Sequence, residues 1–197
     1  THGVDVREKS LTLSSPTTLN KYNINAFDFA GQEEYYSSHQ LFLTHDALHV
    51  LVVNVECWPD PADLEGFEAN VGFWLDSLLS RIQTPRVLVV GTHLDKLPAS
   101  AAVDWAERMT IAIQRCYLEH AVHAAAELTD ALRFVRVFGL VSSTEYQGVD
   151  ELRAALTAFV EEEDAFPRIN RTEPQAYHRL VAALRGTESR AAAFMTL

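Results

Sequence analysis

The chain has 197 residues, with 16 Lys and Arg against 27 Asp and Glu, for a formal net charge of −11. That balance excludes a protein that grips nucleic acid or an anionic membrane surface through its overall charge, both of which need positive faces. Hydrophobic residues at 48% exclude disorder over most of the length, and two cysteines, Cys57 and Cys116, are too few for a disulfide scaffold and suit a reducing, cytoplasmic setting.

Val4 to Leu13 and Tyr22 to Phe29 read as strands. The Ser-Ser-Pro-Thr-Thr stretch between them is turn chemistry and predicts an antiparallel pair. Three nearly continuous apolar runs follow, Ala47 to Val55, Arg86 to Gly91 and Phe134 to Val141, of the kind found in parallel strands buried on both faces. Between them, Phe67, Val71, Trp74, Leu75, Leu78 and Leu79 fall on one helical stripe within Glu65 to Ile82. Ala99 to Leu132 is one long helical pattern or two shorter ones, and Gly148 to Glu163 carries Val149, Leu152, Leu156, Phe159 and Val160 on one face. Alternation of this kind predicts an α/β sheet with right-handed crossovers. The acidic run Glu161 to Asp164 opposes the helix dipole and predicts a solvated, frayed helix end. Pro167, Asn170 and Pro174 mark residues 164–174 as a linker, and an amphipathic helix follows from Gln175 to Leu184. No apolar run approaches the ~20 residues of a membrane helix.

In doubly wound sheets, ligands bind beyond the carboxyl ends of the strands. Three polar signatures stand there in order: Asp28-Phe29-Ala30-Gly31-Gln32, Thr92-His93-Leu94-Asp95 and Val141-Ser142-Ser143-Thr144. A strand-end Asp can hold Mg²⁺, a glycine lets backbone approach phosphate, and a Gln can orient a nucleophilic water. Competing chemistries are poorly supplied. Cys116, His120 and His123 share a helical face but lack a fourth zinc ligand, and no GxSxG elbow accompanies Ser142 or Ser143.

Together with Thr1-His2-Gly3-Val4-Asp5, the stretch Glu33 to Thr44 and the segment VLVVGTHLD from Val87 to Asp95, these signatures resemble the Roc domain (Ras of complex proteins) of the Roco family. The resemblance covers residues 1–163 and implies a Ras-like, mostly parallel sheet with helices on both faces. It implies that Asp95 accepts hydrogen bonds from guanine N1–H and the exocyclic amine. Thr92 and His93 replace the family's Asn and Lys, and Ser142 and Ser143 lie in the last guanine loop. Thr1 and Asp28 would hold Mg²⁺, Thr1 and Gly31 would meet the γ-phosphate, and Gln32 would position the hydrolytic water. The implied ligands are GTP and GDP with Mg²⁺, and the implied role is a slowly hydrolysing switch. A non-catalytic scaffold with the same fold stays open as the alternative.

None of the three lysines, Lys9, Lys21 and Lys96, follows a glycine, so the GxxxxGK[ST] loop that cradles phosphate does not occur in these residues. The resemblance places that loop, with the first strand and first helix, upstream of Thr1, so the expectation is an N-terminally truncated domain. The missing strand would lie centrally, between the strand ending at Asp28 and the one at Leu48 to Val55. Residues 175–197 resemble the start of the COR domain, through which family members dimerise. The aromatic stretch Tyr35, Tyr36, His39 and Phe42 would serve switch packing or a protein partner. In family members leucine-rich repeats lie upstream of the domain, and in some of them a kinase lies downstream.

Overall fold

The computed structural model describes residues 4–14, 21–29, 43–117, 125–167 and 169. Strand β1 (Val4–Ser14) pairs antiparallel with β2 (Lys21–Phe29), with Val4 opposite Phe29 and Ser14 opposite Lys21. The predicted hairpin is therefore present, with a register shift between Arg7 and Leu11. The three apolar runs form β3 (Leu48–Asn54), β4 (Arg86–Thr92) and β5 (Val135–Val141), all parallel, in the order β3-β4-β5.

The alternating sides of β4 explain why its sequence is apolar throughout. Val87 and Val89 face one core with Val53, Val55, Phe67, Val71, Leu75, Leu78, Trp105 and Met109. Leu88 and Val90 face a second core with Phe134, Val141, Phe159, Val160, Ala165 and Phe166. A strand covered on both faces has no polar side to show. Each of these large side chains contributes about 1.5–3 kcal/mol by leaving water, so β4 anchors the sheet.

Helical segments supply both covers. The stripe read from Glu65 to Ile82 is realised in three consecutive pieces: α1 (Leu64–Phe67), a π-helical turn (Glu68–Gly72) and α2 (Phe73–Leu79). Asn70 Nδ2 donates to the Gly66 carbonyl at 2.8 Å within this widened turn. The long pattern after Ala99 divides into α3 (Ala99–Ala102), α4 (Trp105–Tyr117) and α5 (Ala125–Ala131). On the opposite face lies α6 (Val149–Glu161), preceded by Gly148 at φ 77°.

The end of α6 differs from the frayed acidic terminus that its charges predict. Glu161 accepts a hydrogen bond from Tyr22 Oη at 3.0 Å, Glu162 pairs with Arg136 at 2.8 Å, and Asp164 pairs with Arg133. Specific partners outweigh the unfavourable dipole term, which is worth only about 0.3–1 kcal/mol at an exposed end. Ala165 and Phe166, which composition assigns to the linker, are 0% and 7% exposed, so the packed core runs on through Phe166. Arg86 locks this turn in place. Its guanidinium lies over the rings of Phe134 and Phe166 and donates to the carbonyls of Ala165 and His45.

No hydrogen-bonded ladder joins β2 to β3 among the described residues, so the sheet is in two parts. The break falls where the resemblance places its first strand. Beside it, Val50 and Val52 on β3 are 42% and 65% exposed. They share a face with their register partners Leu88 and Val90, but α6 covers only the β4–β5 side of that face.

Candidate functional site

The carboxyl ends of β4 and β5 bring two of the sequence signatures together. After Thr92 the chain enters a 3₁₀ turn, Leu94–Lys96, through His93 at φ 67° and ψ 36°. A left-handed non-glycine residue is uncommon and reverses the chain sharply. That reversal presents Asp95 toward the loop that follows β5. There Ser142, fully buried, donates from Oγ to Asp95 Oδ1 at 2.7 Å. The loop is closed by Ser142 N–H donating to the Gln147 carbonyl at 2.9 Å, and Glu145 N–H donates to Ser142 Oγ at 3.1 Å. The Ser142 hydroxyl thus gives its one proton to Asp95 and accepts from Glu145.

The Asp95 carboxyl is held below its usual range, chiefly by the Ser142 hydrogen bond and further by Lys96, whose Nζ lies 3.6 Å away. It is an ionised acceptor, with Oδ1 fixed by Ser142 and Oδ2 beside the Lys96 ammonium. A carboxylate in that state suits a ligand offering two adjacent N–H donors.

Thr92 takes a different part. Its Oγ1 donates to the Val53 carbonyl at 3.1 Å and meets His93 Nδ1 at 3.1 Å. The single hydroxyl proton is directed at Val53, so Nδ1 must carry its own hydrogen to complete the second contact. Thr92 is therefore spent on joining β3 to β4, while the His93 ring stands exposed at the rim. Ser143 is exposed beside Ser142.

Asp28 is exposed at the carboxyl end of β2. The polarity of β2 follows from two contacts. Tyr22, at its start, bonds Glu161 at the far end of α6, while Gly148 at the start of α6 abuts Leu140 and Val141 at the end of β5. Strand β2 therefore climbs toward the same end of the fold as β4 and β5, carrying Asp28 with it. Its register partner is Asp5. Thr1, Gly31 and Gln32 lie outside the described residues, as do the aromatic switch stretch, His120 and His123. Among the described residues, no group of three or more His, Cys, Asp or Glu is arranged to hold a metal.

Sequence reasoning placed Ser142 in the guanine loop but missed its bond to Asp95, which spans 47 residues. It also missed Tyr146, left-handed at φ 57° and 79% exposed in the same loop. The serine pair directly after a buried strand was the available signal for the first; nothing in the sequence marked the second.

Residues 1–95 match the family described as Ras of Complex, Roc, domain of DAPkinase. The chain is 43% identical over 82 residues to the probable serine/threonine-protein kinase roco6 of Dictyostelium discoideum, an alignment covering 41% of this chain and 4% of that protein. It is 31% identical over 140 residues to the probable serine/threonine-protein kinase pats1 of the same organism, covering 70% of this chain and 4% of the relative. The leucine-rich repeat serine/threonine-protein kinase 1 of Caenorhabditis elegans is 28% identical over 134 residues, 68% of this chain and 5% of that protein. The chain thus spans only a small part of the curated relatives it matches. Among solved structures, the Methanosarcina barkeri Roco2 RocCORdC bound to GDP superposes with a TM-score of 0.51 at 21% identity, over 80% of this chain and 38% of that one. That likeness shows a shared Ras-like α/β fold.

Proposed function

Because the chain carries a Roc domain of the Roco family, we propose that it is the guanine-nucleotide switch of a larger multidomain signalling protein, binding GTP and GDP with Mg²⁺ and hydrolysing GTP slowly. The observation that carries this reading is the Ser142–Asp95 hydrogen bond, which supports an ionised, oriented carboxylate where the fold presents its ligands. Asp95 accepts from guanine N1–H and the exocyclic amine, and adenine, with an unprotonated N1, leaves that acceptor unmatched. Ser142 acts as a positioning residue for Asp95. His93 and Ser143 line the base end, and Thr92 supports it from the sheet.

At the phosphate end, Thr1, Asp28 and Gly31 meet the γ-phosphate and the cation. The hydroxyl of Thr1 and the carboxylate of Asp28 are hard oxygen donors, and Mg²⁺ takes one or two such protein ligands while keeping several waters. Mg²⁺ supplies charge neutralisation along the phosphates when bound. Gln32 orients the attacking water, and turnover without an added arginine is slow.

The domain extends through about Phe166, a linker follows to about residue 174, and residues 175–197 begin a COR domain. Homodimerisation runs through the COR domain of the intact protein, and protein partners meet the switch stretch. The protein works in the cytoplasm. Among the described residues no helix is long and apolar enough to cross a membrane.

The test is nucleotide affinity of the full-length protein with and without Asp95→Asn. The substitution exchanges an acceptor for an amide that can donate to the C2 carbonyl of xanthine. Loss of at least about tenfold in GDP affinity, with a gain for the xanthine analogue, supports the reading. Unchanged GDP affinity would overturn it. Gln32→Leu then separates binding from turnover: hydrolysis falls while GDP affinity is kept, and a wild-type protein that binds without hydrolysing is the scaffold.

A further inference from the structure

A second surface, remote in sequence from the guanine loops, has the build of a docking site. Between α1 and α4 lies an open apolar cleft of about 110 Å³, bounded by Pro61, Leu64, Phe67, Ile111, Ala112 and Cys116. Leu64 and Ile111 are 53% and 46% exposed, so a large aliphatic side chain on each helix faces water, while Phe67 between them is 1% exposed. The volume is well below the roughly 300–1,000 Å³ of cofactor or small-molecule pockets and suits one anchoring side chain. The helix carrying Leu64 and Phe67 passes into its π turn at Glu68, a rare widening that recurs at functional positions.

Charge selects the occupant. Arg108, one of two cations at the cleft, is held by Asp60 at 3.0 Å, by Asp104 at 3.2 Å and by the Ala101 carbonyl; Arg115 stands at the other end. Glu68 lies one turn after Leu64, Glu107 one turn before Ile111, and Asp63 precedes α1. These three carboxylates are exposed and make no ion pair with any described residue. An apolar cleft with a free acidic rim matches an amphipathic helix with basic flanks. Anionic lipid or nucleic acid would meet the same carboxylates with repulsion.

We propose that this cleft docks a basic amphipathic helix of a partner protein. One large apolar side chain seats on Phe67 between Leu64 and Ile111, and the helix's Lys or Arg residues face Asp63, Glu68 and Glu107. Cys116 at the cleft provides the reporter. In the full chain carrying Cys57→Ser, iodoacetamide alkylation of Cys116 is timed with a helical peptide probe bearing Leu at one face and Lys elsewhere. A matched peptide with Glu replacing Lys is the comparison. The Lys probe should slow alkylation about tenfold when present at roughly ten times its Kd, the Glu probe should not, and Glu68→Lys with Glu107→Lys should reverse the preference. Equal protection by both probes, protection by neither, or Lys-probe protection that survives Ile111→Asp would overturn the proposal. So would protection by anionic phosphatidylserine vesicles that exceeds that of the Lys probe.

Discussion

Ser142 Oγ and Asp95 Oδ1 are joined by a 2.7 Å hydrogen bond that links the loop after β5 to the turn after β4. The serine is fully buried and the carboxylate half-buried, so the bond fixes the orientation of the Asp95 carboxylate. Ser142→Ala removes the hydrogen bond to the Asp95 carboxylate, and with it the one that Ser142 Oγ accepts from Glu145 N–H, without creating steric conflict. GDP affinity of the full-length protein should fall about 10-fold by titration calorimetry. The Asp95 carboxyl should also move back up toward its usual 3.8, read by NMR titration. The sign is that of a depressed carboxylate: its stabilisation is present above the unfolded value and is lost as pH falls through the native one.

His49 predicts a loss of stability on the acid side of neutrality. Its Nδ1 lies 3.3 Å from the Arg86 carbonyl, and its Nε2 is buried with no hydrogen-bond partner among the described residues. Burial lowers its pKa from 6.5, the Arg86 charge adds to this, and the Arg86 carbonyl opposes it. The unfolded chain therefore takes up this proton first as pH falls. Stability is complete above about 6.5 and declines below it, levelling once pH is under the native value. His49→Leu should flatten the decline in melting temperature between about pH 7.5 and 5.5 at little cost at the upper end, since an apolar replacement leaves no orphaned nitrogen.

Two glycines should fail for different reasons. A Cβ on Gly91 would lie 2.4 Å from Leu140 Cδ2, 2.9 Å from Val55 Cγ1 and 3.1 Å from Trp105 Cη2, all in the core. Gly91→Ala should cost about 1–3 kcal/mol by denaturant unfolding, from overpacking. At Gly139 nothing lies within 4 Å, but φ is 132°. There Gly139→Ala costs stability through the backbone, so a Leu140→Ala that relieves the shortest of the Gly91→Ala clashes should recover part of that loss and none of the loss from Gly139→Ala.

Tyr22→Phe isolates the link between the two parts of the sheet. It removes the hydroxyl that donates to Glu161 at 3.0 Å and leaves the ring on the second core. The expected loss is about 1 kcal/mol, concentrated in β1 and β2. Hydrogen exchange should accelerate in those strands while β4 keeps its protection; uniform acceleration would show that the link does not act locally.

The strand pattern was legible because burial on both faces demands unbroken apolar runs, and β3, β4 and β5 fall within a residue or so of the predicted limits. The π turn at Glu68–Gly72 was not, since Phe67, Val71, Leu75 and Leu78 keep an ordinary helical spacing through it. The linker reading ended the core too early at the acidic run. Composition cannot show that Arg86, some eighty positions earlier, holds Ala165 and Phe166 against the sheet.

By itself the sequence determined the α/β class, the order of the strands and the residues that stand at their carboxyl ends, because periodicity and strand-end chemistry are local properties. Only the tertiary structure decided that Ser142 orients Asp95, that Thr92 turns into the sheet, and that Leu64 and Ile111 share a cleft. Those relationships join segments tens of residues apart, and which partner a hydroxyl or an aliphatic side chain finds is settled by how the layers pack.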